Sequence, residues 1–162
     1  MQSPLKLSDA KSLCAIYNPY IKETTVTFEE EPVTEDEMIR RIRKIIPAYP
    51  WIVFEESNEV KGYVYANRWK ERSAYRYSVE MGIYVDAGFK GKGVGSKLLE
   101  ELLNKLKDQT VHSVISGIAL PNPASIALCE KFGFEKVAHF KEVGRKFGQW
   151  IDVGYWERVL NK

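Results

Sequence analysis

The chain has 162 residues, 44% hydrophobic and 28% charged, with 24 basic side chains against 22 acidic ones and a formal net charge of +2. One core can serve a chain of that size, so a single domain over residues 1–162 is expected. The near-balance of charge gives no general reason for a nucleic-acid or membrane partner, and no stretch approaches the ~20 apolar residues that span a bilayer.

The N-terminal Met-Gln-Ser-Pro-Leu-Lys lacks the apolar core of a secretion signal. Cys14 and Cys129 lie far apart and form no CxxC pair, which fits reduced thiols and a cytoplasmic protein. His112 and His139 are equally isolated, so no metal site is expected.

Ser8 and Asp9 are candidate caps for a first helix whose apolar face is Leu13, Ile16, Tyr17 and Tyr20, disturbed near its end by Asn18-Pro19. Thr34 and Glu37 form a capping box ahead of the stripe Met38, Ile42, Ile45 and Ile46, which Pro47 and Pro50 stop. Trp51–Glu55 and Val60–Trp69, separated by Ser57-Asn58-Glu59, read as a hairpin, and Tyr77–Val85 as a third strand.

A polar, glycine-rich loop (86–95) follows, then a helix with the stripe Val94, Leu98, Leu99, Leu102, Leu103 and Leu106. Val111–Ile118 is a strand. Asn122-Pro123 opens another helix, closed by Gly133. Two last strands, near Phe134–Val143 and Trp150–Leu160, flank a turn at Lys146-Phe147-Gly148. This order predicts an α/β (α+β) fold, a mixed and mainly antiparallel sheet with helices on both faces.

The segment Lys90-Gly-Lys-Gly-Val-Gly-Ser96 lies between a strand and a strong helix. Its glycines allow close backbone approach, successive N–H groups can converge on phosphate oxygens, and the helix dipole and two lysines favour an anion. A pyrophosphate suits such a cradle; a solvated connecting turn is the plainer reading. A nucleotide P-loop would need Lys-Ser/Thr after its last glycine, where Val94 stands. A dinucleotide fingerprint would need a third glycine at Leu98, after the first strand of a βαβ unit.

The loop is similar to the Q/R-x-x-G-x-G/A signature of the GNAT superfamily of acetyltransferases. Asn122-Pro-Ala-Ser-Ile-Ala-Leu-Cys-Glu-Lys-Phe-Gly-Phe134 resembles that superfamily's later helix. Ile16-Tyr-Asn-Pro-Tyr-Ile21, Thr25-Val-Thr-Phe28, Tyr49-Pro-Trp51, Ser78-Val-Glu80 and Gly148-Gln-Trp150-Ile-Asp152-Val153 resemble landmarks of its phosphinothricin and methionine sulfoximine acetyltransferase branch. The resemblance covers nearly the whole chain. It implies a twisted GNAT-like sheet, a homodimer, and acetyl-CoA-dependent acetylation of the primary amine of a small amino-acid-like molecule, with no metal.

By that resemblance, the backbone of Ile83, Tyr84 and Val85 would pair with the pantetheine arm. Lys90, Gly91, Lys92, Gly93, Val94, Gly95 and Ser96 would hold the pyrophosphate, and Asn122 would contact the arm. Lys90 departs from the family's usual Gln or Arg, keeping a cation without Arg's paired donors.

An amine nucleophile must shed a proton, and the thioester carbonyl must be polarised. The glutamate matching Glu80 is the family's general base, acting directly or through water, and the Ile83 amide is the candidate polarising donor. A strand carboxylate can equally be structural. Gly82 suggests a bulge or a close backbone approach. Cys129 replaces the tyrosine that many relatives use as a general acid, and reads as a packed small residue.

For the acceptor, Glu80, Met81 and Gly82 would face the amine, with Arg72 as a carboxylate clamp or a plain exposed arginine. Phe28, Tyr75 and Trp150 are candidate walls or simple core. Two other readings remain open at this level: a GNAT enzyme for another amine (polyamine, aminoglycoside or protein N-terminus), and a non-catalytic coenzyme A sensor that would not need Glu80.

Overall fold

A computed structural model gives the structure, described here for residues 1–160. The elements are β1 (Gln2–Pro4), α1 (Ala10–Glu23), α2 (Glu35–Ile45), β2 (Trp51–Glu56), β3 (Glu59–Arg68), β4 (Ser78–Val85), α3 (Val94–Lys107), β5 (Ser113–Ala119), α4 (Pro123–Lys131), β6 (Glu135–Lys146) and β7 (Gln149–Val159). The seven strands run in the order β1-β2-β3-β4-β5-β7-β6. Every neighbouring pair is antiparallel except β4–β5, which is parallel.

Successive strand residues point to opposite faces, and β2 shows what that does. Ile52 and Phe54 join the core built with Leu98, Leu99, Leu102 and Leu106 of α3. Trp51 and Val53 join the core built with Leu13 and Ile16 of α1 and Ile42 of α2. Helices therefore cover both faces, as expected from the sequence.

Three local expectations are corrected. Pro19, expected to disturb the end of α1, is carried within it, and the helix runs on to Glu23; Asn18 ties this stretch down by donating to Val33 O at 3.0 Å and accepting from Val33 N at 2.8 Å. Asp9 does not cap α1 with its side chain, because its carboxylate accepts from Lys6 N one turn earlier. Thr34 caps α2 by accepting from Glu37 N at 3.1 Å, but Glu37 does not complete the box: its carboxylate bonds to Arg40 and Arg41, which hold it down at about 2. The short strand β1, paired with Ile52–Phe54, carried too little sequence pattern to be read.

The feature that makes a site is the divergence of β4 from β5. They pair only where Ser78–Glu80 meets Ser113–Ile115. Beyond that point β4 stays with β3 as far as Val85, while β5 stays with β7 as far as Ala119. The expected bulge at Gly82 is absent, since the β3–β4 register runs unbroken from Arg68↔Val79 to Gly62↔Val85. Gly82 serves the other purpose of a strand glycine: a Cβ there would lie 2.7 Å from the Tyr65 ring, which crosses over it.

Candidate active site

The diverging strands frame one continuous trough. Its inner part is a cavity of about 260 Å³ walled by Glu80, Ile83, Ser116, Gly117, Asn122 and Cys129. Its outer part, about 390 Å³, reaches Lys90, Gly91, Gly93 and Ser96. Val26, Ile83, Asn122, Ser125 and Leu128 line both parts, so the glycine loop and Glu80 open onto the same channel.

At the loop end, Gly91 and Gly93 have φ of 77° and 79°, the left-handed region that other residues enter at a cost of roughly 1–2 kcal/mol. Gly93 is the N-cap of the 14-residue α3, so the first free N–H groups of the helix face the channel mouth. Val94 buries its side chain at the foot of α3 and offers only backbone. Lys90 Nζ lies 4.9 Å above the Tyr20 ring, and Lys92 Nζ 4.6 Å above the Phe89 ring. Ser96 Oγ accepts from Lys131 Nζ at 3.2 Å, a third cation that its distance in sequence concealed.

Along β4 the direction of the backbone groups is set by its neighbour. Trp69 N donates to Ser78 O at 3.3 Å and Asp86 N to Lys61 O at 2.8 Å. By the alternation of an antiparallel pair, Glu80, Gly82 and Tyr84 exchange their backbone bonds with β3, and Ile83 and Val85 turn theirs toward the trough. Tyr84 therefore borders the inner cavity without offering it a backbone pair, and the Val85 carbonyl already accepts from Tyr20 Oη at 2.6 Å. Asn122 lines both parts, while its Oδ1 caps α4 by accepting from Ser125 N.

Glu80 stands opposite Asn67 in the β3–β4 register and leans across to β5. Its Oε2 would be 3.3 Å from a Cβ placed on Gly117, so the missing side chain there leaves room for the carboxylate. Burial pushes the Glu80 carboxyl above the usual range, opposed by the charge of Lys70. Tyr65, also buried and beside Glu80, is pushed up to about 12, so its phenol stays neutral. Glu29 shows the opposite tuning: hydrogen bonds from Arg41 lower it. Two nearby carboxylates pushed apart in this way differ in basicity. Cys129 is 2% exposed, and burial raises its thiol against a hydrogen bond from Ser116, so it packs as a neutral side chain.

Of the expected acceptor residues, Glu80, Met81 and Gly82 line the inner cavity. Arg72 and Tyr75 instead flank an exposed 3-10 turn after β3, where Tyr75 N donates to Arg72 O. Trp150 is exposed and carries Arg145 over its ring. Phe28 lays its ring against Gly144 of β6. Residues the sequence did not single out are Asn67, Ser116, Gly117 and Leu128 on the walls and Val26 in the roof. That roof is anchored from below: Lys146, 3% exposed, donates from Nζ to Thr24 O and Thr27 O, each at 2.7 Å. Among the described residues no three His, Cys, Asp or Glu converge as a metal site, and no helix is long and apolar enough to cross a membrane.

Comparison with known proteins agrees with this geometry. Residues 3–154 match the family described as acetyltransferase (GNAT) domain. The chain is 38% identical over 155 residues to a phosphinothricin N-acetyltransferase of Streptomyces viridochromogenes, covering 96% of this chain and 85% of the relative. It is 32% identical to an L-methionine sulfoximine/L-methionine sulfone acetyltransferase of Salmonella typhimurium, covering 96% and 91%. Among solved structures it matches a phosphinothricin acetyltransferase of Sinorhizobium meliloti in complex with acetyl-CoA, with a TM-score of 0.96, 34% identity and coverage of 99% and 88%. The chain belongs to the GNAT family of acetyltransferases.

Proposed function

We propose that this chain, acting as one domain over residues 1–162, transfers an acetyl group from acetyl-CoA to the primary amine of a small amino-acid-like molecule of the phosphinothricin or methionine sulfoximine type. The observation that carries the reading is the trough itself, which joins a left-handed glycine loop beneath a helix N-terminus to a half-buried carboxylate of raised pKa. A pyrophosphate fits at Gly91–Ser96, where N–H groups and Lys90, Lys92 and Lys131 gather. The pantetheine arm fits along Ile83, Val85 and Asn122.

Acetyl-CoA supplies the thioester carbonyl. The residues do the rest. Glu80 takes the proton of the incoming ammonium, directly or through a water, and its raised pKa brings it closer to the amine's needs at neutral pH. The Ile83 N–H stabilises charge developing on the carbonyl oxygen. Cys129, buried and neutral, neither attacks nor donates, so transfer is direct: the C–N bond forms, the C–S bond breaks, and the second proton shed by the nitrogen passes through water to the departing thiolate. Cytoplasmic location and homodimerisation belong to the same reading. Val137, Phe140, Val143 and Phe147 on the β6–β7 side are exposed large apolar residues suited to a second copy, which analytical ultracentrifugation tests.

The central test is coenzyme A release with phosphinothricin and methionine sulfoximine, with products identified by mass spectrometry. Acetylated products are expected. Coenzyme binding without either product would remove the substrate assignment, and no coenzyme binding by folded protein would remove the whole reading.

A further inference from the structure

Tyr20 stands in the last turn of α1, on the outer part of the trough that Val85 and Lys90 also line. It takes no part in moving protons or the acetyl group, yet it touches three parts of the site. Its Oη donates to the Val85 carbonyl at 2.6 Å, across 65 positions of sequence. Its ring lies 4.9 Å from Lys90 Nζ and meets the Tyr84 ring edge-on, with centroids 5.3 Å apart. Its own carbonyl accepts from Thr24 N at 3.2 Å and from Thr24 Oγ1 at 2.7 Å, and Thr24 Oγ1 accepts in turn from Val26 N in the roof.

Two of these contacts bear on a bound coenzyme. Val85 is the last residue of β4, and β5 has already parted from β4 there, so the Val85 carbonyl has no strand partner on the trough side to aim it. Tyr20 does so instead. A carbonyl oxygen carries two lone pairs; Tyr20 occupies one and leaves the other for an amide N–H of the arm. Lys90 forms no salt bridge among the described residues, so its charge is available to an anion. A lysine stem is flexible, and ordering it on binding costs affinity. An ammonium already resting on an aromatic face has less freedom to lose.

We propose that Tyr20 is a positioning residue for the coenzyme. Its hydroxyl aims the Val85 carbonyl at the pantetheine arm, and its ring seats the Lys90 ammonium beside the pyrophosphate. One side chain of α1 thus keeps the two halves of the coenzyme site in register. The inference rests on the acetyl-CoA reading of the trough and is independent of which amine is acetylated.

Calorimetry with coenzyme A on wild type, Y20F, Y20L, K90M and the two double variants separates the contacts. Y20F keeps the ring and loses the hydroxyl, and should weaken binding about fivefold, the scale of one hydrogen bond. K90M should weaken it about fivefold in wild type and in Y20F. In Y20L, where the lysine has lost its seat, the K90M factor should shrink to about twofold; Y20M takes the place of Y20L if the latter does not fold. A merely structural loss would leave the K90M factor the same in every background. With phosphinothricin as acceptor, Y20F should raise the KM for acetyl-CoA about fivefold and lower kcat by about twofold at most. Y20F binding as tightly as wild type, or an undiminished K90M factor once the ring is gone, would overturn the proposal. The expected binding pattern without acetylation of phosphinothricin would support it and remove that acceptor. No coenzyme A binding by folded wild type would remove both the proposal and the acetyl-CoA reading.

Discussion

Replacing Glu80 with Gln keeps the side chain's shape and removes its charge at the point where β4 leaves β5. The charge of Lys70 opposes the effect of burial on this carboxyl without a salt bridge to it, so the substitution breaks no strong ion pair. The sign of the stability change follows from the pKa. A carboxyl raised on folding binds protons more readily in the native state than in the unfolded one, so its ionisation costs stability as pH climbs through that window. E80Q should therefore melt at or slightly above the wild-type temperature at pH 7 and bind coenzyme A normally. Its rate should fall 10²–10⁴-fold in kcat/KM, the usual contribution of a general base, or about 2.7–5.4 kcal/mol of barrier. The wild-type rate should also decline on the acid side at a pH above the ~4.3 of an ordinary glutamate, a limb absent from the variant. Thiol release measured from pH 5 to 9 checks both. A variant rate within tenfold of wild type, with the acid limb intact, would refute Glu80 as the base.

Three further outcomes can be measured. K146M removes two charge-assisted bonds and leaves the Thr24 and Thr27 carbonyls without their donor; a loss of about 2–4 kcal/mol in denaturant unfolding and a raised KM for acetyl-CoA are expected as the Val26 roof loosens. R41M frees Glu29 and leaves Glu37 with Arg40 alone; the depressed pKa values of the two carboxylates stabilise the fold above the ordinary carboxylate range and cease to do so as pH falls through their folded values. Melting curves should show a lower wild-type Tm from about pH 5 down to pH 2, and a shallower fall for R41M from a lower starting point. G93A meets open space but must hold φ near 79°, so a strain of about 1–2 kcal/mol and weaker coenzyme A binding by calorimetry are expected.

The parts of this protein that were legible in the sequence are those whose signal is local. The α3 stripe, the Asn122-Pro123 start and the glycine loop each specify a backbone shape within a few residues, and the structure has all three. Glu80 was found through motif resemblance and position, but its environment was not: Gly117 and Tyr155 reach it from β5 and β7, and Tyr65 from β3. Lys146 read as a turn residue because no sequence pattern reveals that a lysine's amine will be swallowed by two carbonyls more than a hundred positions away. Gly82 fitted two readings, and only the placement of the Tyr65 ring chose between them. Tyr84 was misjudged by one step of alternation, since the hydrogen-bond parity of β4 depends on where its pairing with β3 begins.

The short parallel junction at Ser78–Glu80 and Ser113–Ile115 also fixes the angle at which β4 and β5 part. From Glu80 to Val85 the arm of β4, paired with β3 and parted from β5, extends about 16 Å at the ~3.3 Å rise of a strand, so a change of about 4° in its angle displaces its far end by roughly 1 Å. An error of that size in placing reacting groups can cost about 10²-fold in rate. Val79 and Val114, both fully buried and paired at this junction, line neither part of the channel, and a methyl group gained or lost at either is expected to change the rate from beneath.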